Sequence, residues 1–191
     1  MLPVRRNPEI IRDECMLAEG IVELVAELKD SYAGLSLKEM CEALGIQVCG
    51  YAMGKGADDC KGFFIRRFGV SCIMINTDLS ERNRQIILAH EMGHACLHEE
   101  QAEAAEFIDI SVNGNGGIRE YEANVFAAEM LLSDEEVVAL LAEGIPLDSV
   151  AAELEVPLAL ADYKVRILQK KGWPVKPFLY ANSNFMKDVA G

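Results

Sequence analysis

Positive charge is scarce in this chain. Its 191 residues include 18 Lys and Arg against 31 Asp and Glu, a formal net charge of −13. The deficit is concentrated: from His90 to Leu160 there are sixteen acidic residues and one basic residue, Arg119. A surface of that sign repels phosphate backbones, which argues against nucleic acid as the main partner. It suits solubility and can attract a basic protein. No apolar run approaches the length of a transmembrane helix. Met1 to Glu14 carries charges throughout and has no apolar stretch of the signal-peptide kind. No membrane attachment and a cytoplasmic location are therefore expected. The six cysteines, at 15, 41, 49, 60, 72 and 96, contain no CxxC pair. Cys15, Cys41, Cys72 and Cys96 fall in apolar-periodic segments, where a reduced thiol behaves as a small hydrophobe. Free thiols in a reducing compartment are the expectation. Low-complexity tracts and internal repeats are lacking too. With 51% hydrophobic residues, the chain has the composition of one folded domain with a sizeable core.

What is present reads as an α+β chain. Pro8 to Asp30 carries apolar residues at roughly helical spacing, and Tyr32-Ala33-Gly34 ends it. Ser36 with Glu39 three residues later is a capping box opening a short helix that closes near Gly45. Ile46–Ala52, Phe63–Arg67 and Val70–Asn76 read as strands, the last two joined by a tight turn at Phe68-Gly69. Together they predict a small, mostly antiparallel sheet. Ser80 to Glu99 is the central helix. Gln101 to Arg119 is looser, with Asn113-Gly114-Asn115-Gly116-Gly117 as a flexible loop. Helices follow at Glu120–Leu132 and from Ser133 to Glu143, and Asp148–Leu154 with Pro157–Lys171 forms a helix–turn–helix-like pair. The expected organisation is a single domain over 1–191. It comprises an N-terminal helix in 1–35, a core in 36–132, C-terminal helices in 133–172 and an irregular tail in 173–191.

All three histidines, at 90, 94 and 98, lie in one stretch, His90-Glu91-Met92-Gly93-His94-Ala95-Cys96-Leu97-His98. Four residues apart on a helix, His90 and His94 stack on one face and can offer two imidazole nitrogens to one Zn²⁺. Glu91, rotated by roughly 100° from His90, can reach a water at the metal without being a ligand. Chance alone would give an HExxH at this composition in roughly one chain in two hundred. A metzincin would add a histidine at position 100 after a glycine at 97; Glu100 and Leu97 stand there and exclude that class. His98, one turn further on, reads as a non-ligand: a group behind the ligands, or a cation near the helix C-terminus. A third ligand must come from the segment Arg119 to Glu129, where burial of the apolar face turns either Glu120 or Glu122 toward the central helix. Glu120 is favoured, because Asn124 one turn later can orient a ligand from behind it. For Glu122 alone a solvated face serves equally well.

The two motifs, His90-Glu91-Met92-Gly93-His94 and Glu120-Tyr121-Glu122-Ala123-Asn124-Val125-Phe126-Ala127-Ala128-Glu129-Met130-Leu131-Leu132, closely resemble the ImmA/IrrE family of zinc metallo-endopeptidases. That family is found in prophages, mobile elements and some stress responses. The stretch from Val150 to Leu168 resembles its C-terminal helices, so the likeness covers roughly residues 35–172. The resemblance implies a zincin-like fold of the gluzincin kind, with a small sheet packed on the HExxH helix. It implies zinc held by His90, His94 and Glu120, with Asn124 setting the register and Glu91 as catalytic base. It also implies a protein substrate, a helix–turn–helix repressor that binds DNA. Many members continue the leucine pair with Met-Pro, whereas Leu132 here is followed by Ser133-Asp134. That alters a loop rather than the metal site.

The expected reaction is hydrolysis of a peptide bond, Glu91 moving the proton between water and leaving amine. Tyr121 and His98 are candidates to stabilise the oxyanion. Val70–Asn76 reads either as an edge strand able to pair with substrate backbone or as an ordinary core strand. The glycine-rich loop at 113–117 reads as a gate or as a plain connector. Manganese or iron could replace zinc in such a donor set. Two other classes compete. One is a DNA-binding regulator using Lys164, Arg166, Lys170 and Lys171; the other is a metal-bound but non-catalytic protein that sequesters a repressor. A deformylase lacks support, since the other motifs of that fold are not found.

Overall fold

A computed structural model describes residues 14–99 and 117–176. Seven helices and one three-stranded sheet make up these residues. The helices are α1 (Glu14–Ser31), α2 (Leu37–Ala43), α3 (Glu81–Leu97), α4 (Ile118–Leu131), α5 (Asp134–Ala142), α6 (Leu147–Glu153) and α7 (Leu158–Lys170). The strands are β1 (Ile46–Tyr51), β2 (Gly62–Arg67) and β3 (Val70–Asn76). The expected helix over residues 8–13, the tail from 177 and most of the segment before Arg119, including 113–116 of the glycine-rich loop, lie outside the described residues.

Local chemistry sets the element ends. Ser36 Oγ accepts from the Glu39 N–H at 3.3 Å, and the Glu39 carboxylate accepts from the Ser36 N–H at 2.8 Å, closing the capping box of α2. Ser80 caps α3 through the Asn83 N–H at 3.2 Å, and Ser133 caps α5 through the Glu136 N–H at 3.3 Å. Phe68 at φ 51° and Gly69 at φ 74° form the two-residue turn between β2 and β3, where both central residues need positive φ.

The sheet order is β1-β3-β2. β2 pairs antiparallel with β3, Arg67 opposite Val70, but β1 pairs parallel with β3, Ile46 opposite Ser71. The sheet is therefore mixed, not mostly antiparallel. The physical reason is the loop after Tyr51, which is long enough to carry the chain past the site of the middle strand. β2 is laid down outside, and its tight turn folds β3 back between the two. Val70–Asn76 is consequently the central strand, not an edge strand open to substrate. Asn76 ties that loop down from a fully buried position: its amide donates to the carbonyls of Gly54 and Cys60 at 2.7 and 2.9 Å and accepts from the Met53 N–H at 3.1 Å.

α3 lies between the sheet on one side and α4 on the other, and α4 in turn packs on α1 and α7. Ile86 to Gly93 of α3 are all buried, as befits a helix enclosed on all sides. Two glycines permit the close approaches. A Cβ on Gly62 would stand 2.5 Å from Ile87 Cγ2, so β2 rests directly on α3. A Cβ on Gly93 would stand 3.1 Å from Phe126 Cβ and 3.2 Å from Ala123 Cα, so α3 and α4 cross nearly backbone to backbone. No helix among the described residues is long and apolar enough to cross a membrane.

Behind α4, Lys164 of α7 turns inward. Lys164, 1% exposed, donates to Glu129 at 2.7 Å and pairs with Asp134 at 2.5 Å. Lys171 pairs with the same two carboxylates at 2.5 and 2.8 Å, and Lys29 of α1 donates to the Glu129 carbonyl at 2.7 Å. Arg166 pairs with Asp162 at 2.8 Å. Three of the four charges that suggested a DNA-reading helix are thus committed to carboxylates within the chain.

Candidate metal centre

The crossing at Gly93 decides what α4 presents to α3. At about 100° per residue, Ala123 and Phe126 occupy the stripe facing Gly93, with Glu120 on one flank of it and Glu122 on the other. Both glutamates therefore reach α3, at different histidines. Glu120 Oε2 lies 3.4 Å from His90 Nε2, and Glu120 Oε1 lies 3.3 Å from His94 Nε2. The two Nε2 atoms are 3.1 Å apart. Glu122 Oε2 instead lies 2.7 Å from His98 Nε2.

His90, His94 and Glu120 are the group of potential ligands found among the described residues, their donor atoms all within 4.8 Å of one another. Donors held at about 2.0–2.1 Å by a tetrahedral ion are about 3.3 Å apart. The two imidazole nitrogens stand at such a distance, and each meets a different oxygen of the Glu120 carboxylate at a similar one, so the three side chains can close on a single first-row divalent cation. The donor chemistry fits as well, two imidazoles with one carboxylate. The environment reinforces it. His90 is 1% exposed and Glu91 5% exposed, whereas the Glu120 side chain is 40% exposed and forms the open side.

The chain is similar to known proteins. Residues 41–166 match the family described as the IrrE N-terminal-like domain, a peptidase family. The chain belongs to the ImmA/IrrE family. Metallopeptidase ImmA of Bacillus subtilis (strain 168) is 23% identical over 150 residues, which cover 78% of this chain and 85% of that protein. Uncharacterized immunity region protein 2 of Bacillus phage phi105 is 35% identical over 92 residues. That match spans 48% of this chain and little more than half, 57%, of the phage protein.

As a member of a metallopeptidase family, the chain is expected to hold a cation, and the field at the three donors favours one. The hydrogen bonds that Glu120 accepts from His90 and His94 hold its carboxyl far below the usual carboxylate range, against the opposing effect of burial. Burial works to lower the pKa of His94. The hydrogen bond to Glu120 and the charges of Glu91 and Glu120 outweigh it, with Arg119 opposing, and the net shift is upward. Positive charge is stabilised at this point of the ImmA/IrrE domain.

Glu91 sits one residue beyond His90 on α3, buried, and its charge is felt both at His94 and at the thiol of Cys60 in the loop before β2. Asn124 is buried on α4, and its amide donates to the Tyr163 hydroxyl of α7 at 3.2 Å. Tyr163 also stacks on Tyr121 at a tilted 5.7 Å and feels the charge of Glu120. The sequence reading missed Tyr163. Its position within the apolar stripe of α7 was the available signal, but nothing local says that the stripe faces Asn124.

His98 closes α3 as its C-cap, with φ −127° and ψ 21°. Its Nδ1 lies 3.1 Å from His94 Nδ1, on the side of the His94 ring away from the metal donors. Burial lowers its pKa, only partly offset by the hydrogen bond to Glu122. Both ring nitrogens thus have partners, which leaves neither for an oxyanion. The solvated-face reading of Glu122 does not hold, since its side chain is 15% exposed and paired with His98.

Proposed function

We propose that the chain is a zinc-dependent endopeptidase of zincin-like architecture, with His90, His94 and Glu120 as the metal ligands and Glu91 as the general base. The observation that carries this reading is the convergence of three side chains, the two imidazole nitrogens 3.1 Å apart and each within 3.3–3.4 Å of one oxygen of Glu120, beside a buried carboxylate on the next position after His90. A sheet laid directly on that helix through Gly62 supports the zincin-like reading.

The metal, when bound, supplies Lewis acidity toward the scissile carbonyl. The chain does the rest. Glu91 accepts the proton of the attacking water and delivers it to the departing amine, a carboxylate suiting both transfers when it is held within hydrogen-bond reach. Burial of His90 and Glu91 keeps bulk water from the reacting groups, while the exposed flank at Glu120 gives a polypeptide access. Asn124 and Tyr163 brace α4 against α7 and so fix the height of Glu120 on α3.

The proposed substrate is a DNA-binding repressor of the helix–turn–helix type. Support comes from the family resemblance and from the names of the two relatives, a phage immunity region protein and ImmA. The acid-rich stretch of sequence from His90 to Leu160 is suited to a basic protein of that kind.

Elemental analysis of purified wild type, His94→Ala and Glu120→Ala tests the site. About one zinc per chain in wild type, lost or much weakened in both variants, is expected. Zinc retained in Glu120→Ala would move the third ligand elsewhere. No metal in wild type after zinc is supplied would overturn the peptidase reading. Glu91→Gln then tests the chemistry: it should keep zinc and lose repressor cleavage. If it regulates in cells as well as wild type, the protein acts by sequestration instead.

A further inference from the structure

His98 and Glu122 form a largely shielded pair that the reaction itself does not use, and among the described residues the pair meets the site at His94. We propose that Glu122 and His98 are positioning residues, a hydrogen-bonded chain that fixes the His94 ring with Nε2 bare and turned to the metal. The inference rests on the reading of His94 as a ligand and extends it one layer outward.

With a cation at His94 Nε2 in place of the hydrogen that Glu120 would otherwise accept there, donor and acceptor counting leaves a single arrangement. An ionised carboxylate only accepts, so at 2.7 Å from Glu122 Oε2 the His98 Nε2 carries the hydrogen. A neutral His98 then has a bare Nδ1. At 3.1 Å from that bare nitrogen, His94 Nδ1 must donate, and a neutral His94 is left with its lone pair on Nε2. That is the nitrogen lying 3.1 Å from His90 Nε2 and 3.3 Å from Glu120 Oε1. Any other placement of hydrogens either sets two donors against each other or puts a hydrogen on the nitrogen that must bind the cation. Metal-bound histidines commonly have their second nitrogen held by a carboxylate or carbonyl. Here a second imidazole relays the same constraint, its Nε2 bonded to the Glu122 carboxylate and its Nδ1 to His94.

The fold supplies each part. His94 and His98 share a face of α3 at a spacing of one turn, with centroids 5.2 Å apart, and Glu122 arrives on the flank of the α4 stripe opposite Glu120. One helix crossing therefore sets a ligand and the support of another ligand together. Both supporting side chains are largely shielded, at 9% and 15% exposure, so water competes poorly for their hydrogen bonds.

The test compares full-length wild type with Glu122→Ala, His98→Phe and Glu122→Gln. Zinc affinity is measured by chelator competition, fold integrity by circular dichroism, and the imidazole tautomers by nitrogen-15 NMR of the metal-free and zinc-loaded protein. We expect Glu122→Ala and His98→Phe, while folded, to bind zinc about tenfold to a hundredfold more weakly. Glu122→Gln, whose amide oxygen still accepts from His98, should stay near wild type. The wild-type spectrum should show His98 with hydrogen on Nε2 and none on Nδ1, with or without zinc. Unchanged zinc affinity in Glu122→Ala, equal losses in the Gln and Ala variants, or a His98 hydrogen on Nδ1 would each overturn the chain. Failure of wild type to bind zinc would instead overturn the metal reading, while the metal-free His98 tautomer would still decide the hydrogen-bond order.

Discussion

Gly93→Ala sets two effects of known size against each other. In a helix interior alanine is favoured over glycine by about 1 kcal/mol, because it loses less backbone entropy. In free space the substitution would stabilise α3. The crossing does not offer free space: the new methyl would stand 3.1 Å from Phe126 Cβ and 3.2 Å from Ala123 Cα, a few tenths of an ångström inside ordinary contact. Ala123 is part of the backbone wall and cannot rotate away, so relief comes only by separating α3 from α4. Overpacking of this kind costs roughly 1–3 kcal/mol. The net expectation is a loss of about 0–2 kcal/mol, which for a chain of this size lowers Tm by up to roughly 8 °C. Separation also lifts Glu120 from the two histidines, so zinc affinity should fall more clearly than stability does. Thermal melts of the metal-free protein and chelator competition on the loaded protein measure the two separately. A higher Tm with unchanged zinc affinity would show that the helices have slack at Gly93 and would refute the close-crossing argument.

The ion-pair cluster behind α4 gives a second expectation. Lys164→Ala leaves Glu129 and Asp134 sharing Lys171 alone in a buried setting and should cost about 3 kcal/mol in urea unfolding, whereas Lys171→Ala, at a more exposed member, should cost about 1 kcal/mol. Equal losses would show that burial does not rank the pair. Acid stability follows from Asp134. Although burial raises its pKa, the hydrogen bonds and charges of Lys164 and Lys171 prevail and the net shift is downward. A depressed folded pKa stabilises above the unfolded value and loses that contribution as pH falls through the folded one, here below about pH 4. Asp134→Asn should therefore unfold more easily at neutral pH and show a shallower decline on acidification below pH 4. An unchanged acid limb would remove Asp134 from the account.

The residues differ in how far their roles are written locally. His90 and His94 share a face because an α-helix turns once in 3.6 residues, and Ser36, Ser80 and Ser133 cap because their hydroxyls reach backbone N–H groups three positions on. The Phe68-Gly69 turn is equally local. These features depend on sequence distances of two to four residues, over which the chain has little choice. Other features depend on which surface meets which. The parallel pairing of β1 with β3 required the path of the loop after Tyr51, whereas an alternating strand pattern is the same for either direction. A helical projection sets Lys164 between Leu160 and Leu168 on the apolar side of α7, but it supplies no partner there, and only the arrival of Glu129 and Asp134 made an interior lysine tolerable. Glu120 and Glu122 could not be separated by periodicity, since each borders the apolar stripe. The crossing at Gly93 gave one glutamate to the His90–His94 pair and the other to His98, because a contact between helices fixes the rotation and height that a single helix leaves undetermined.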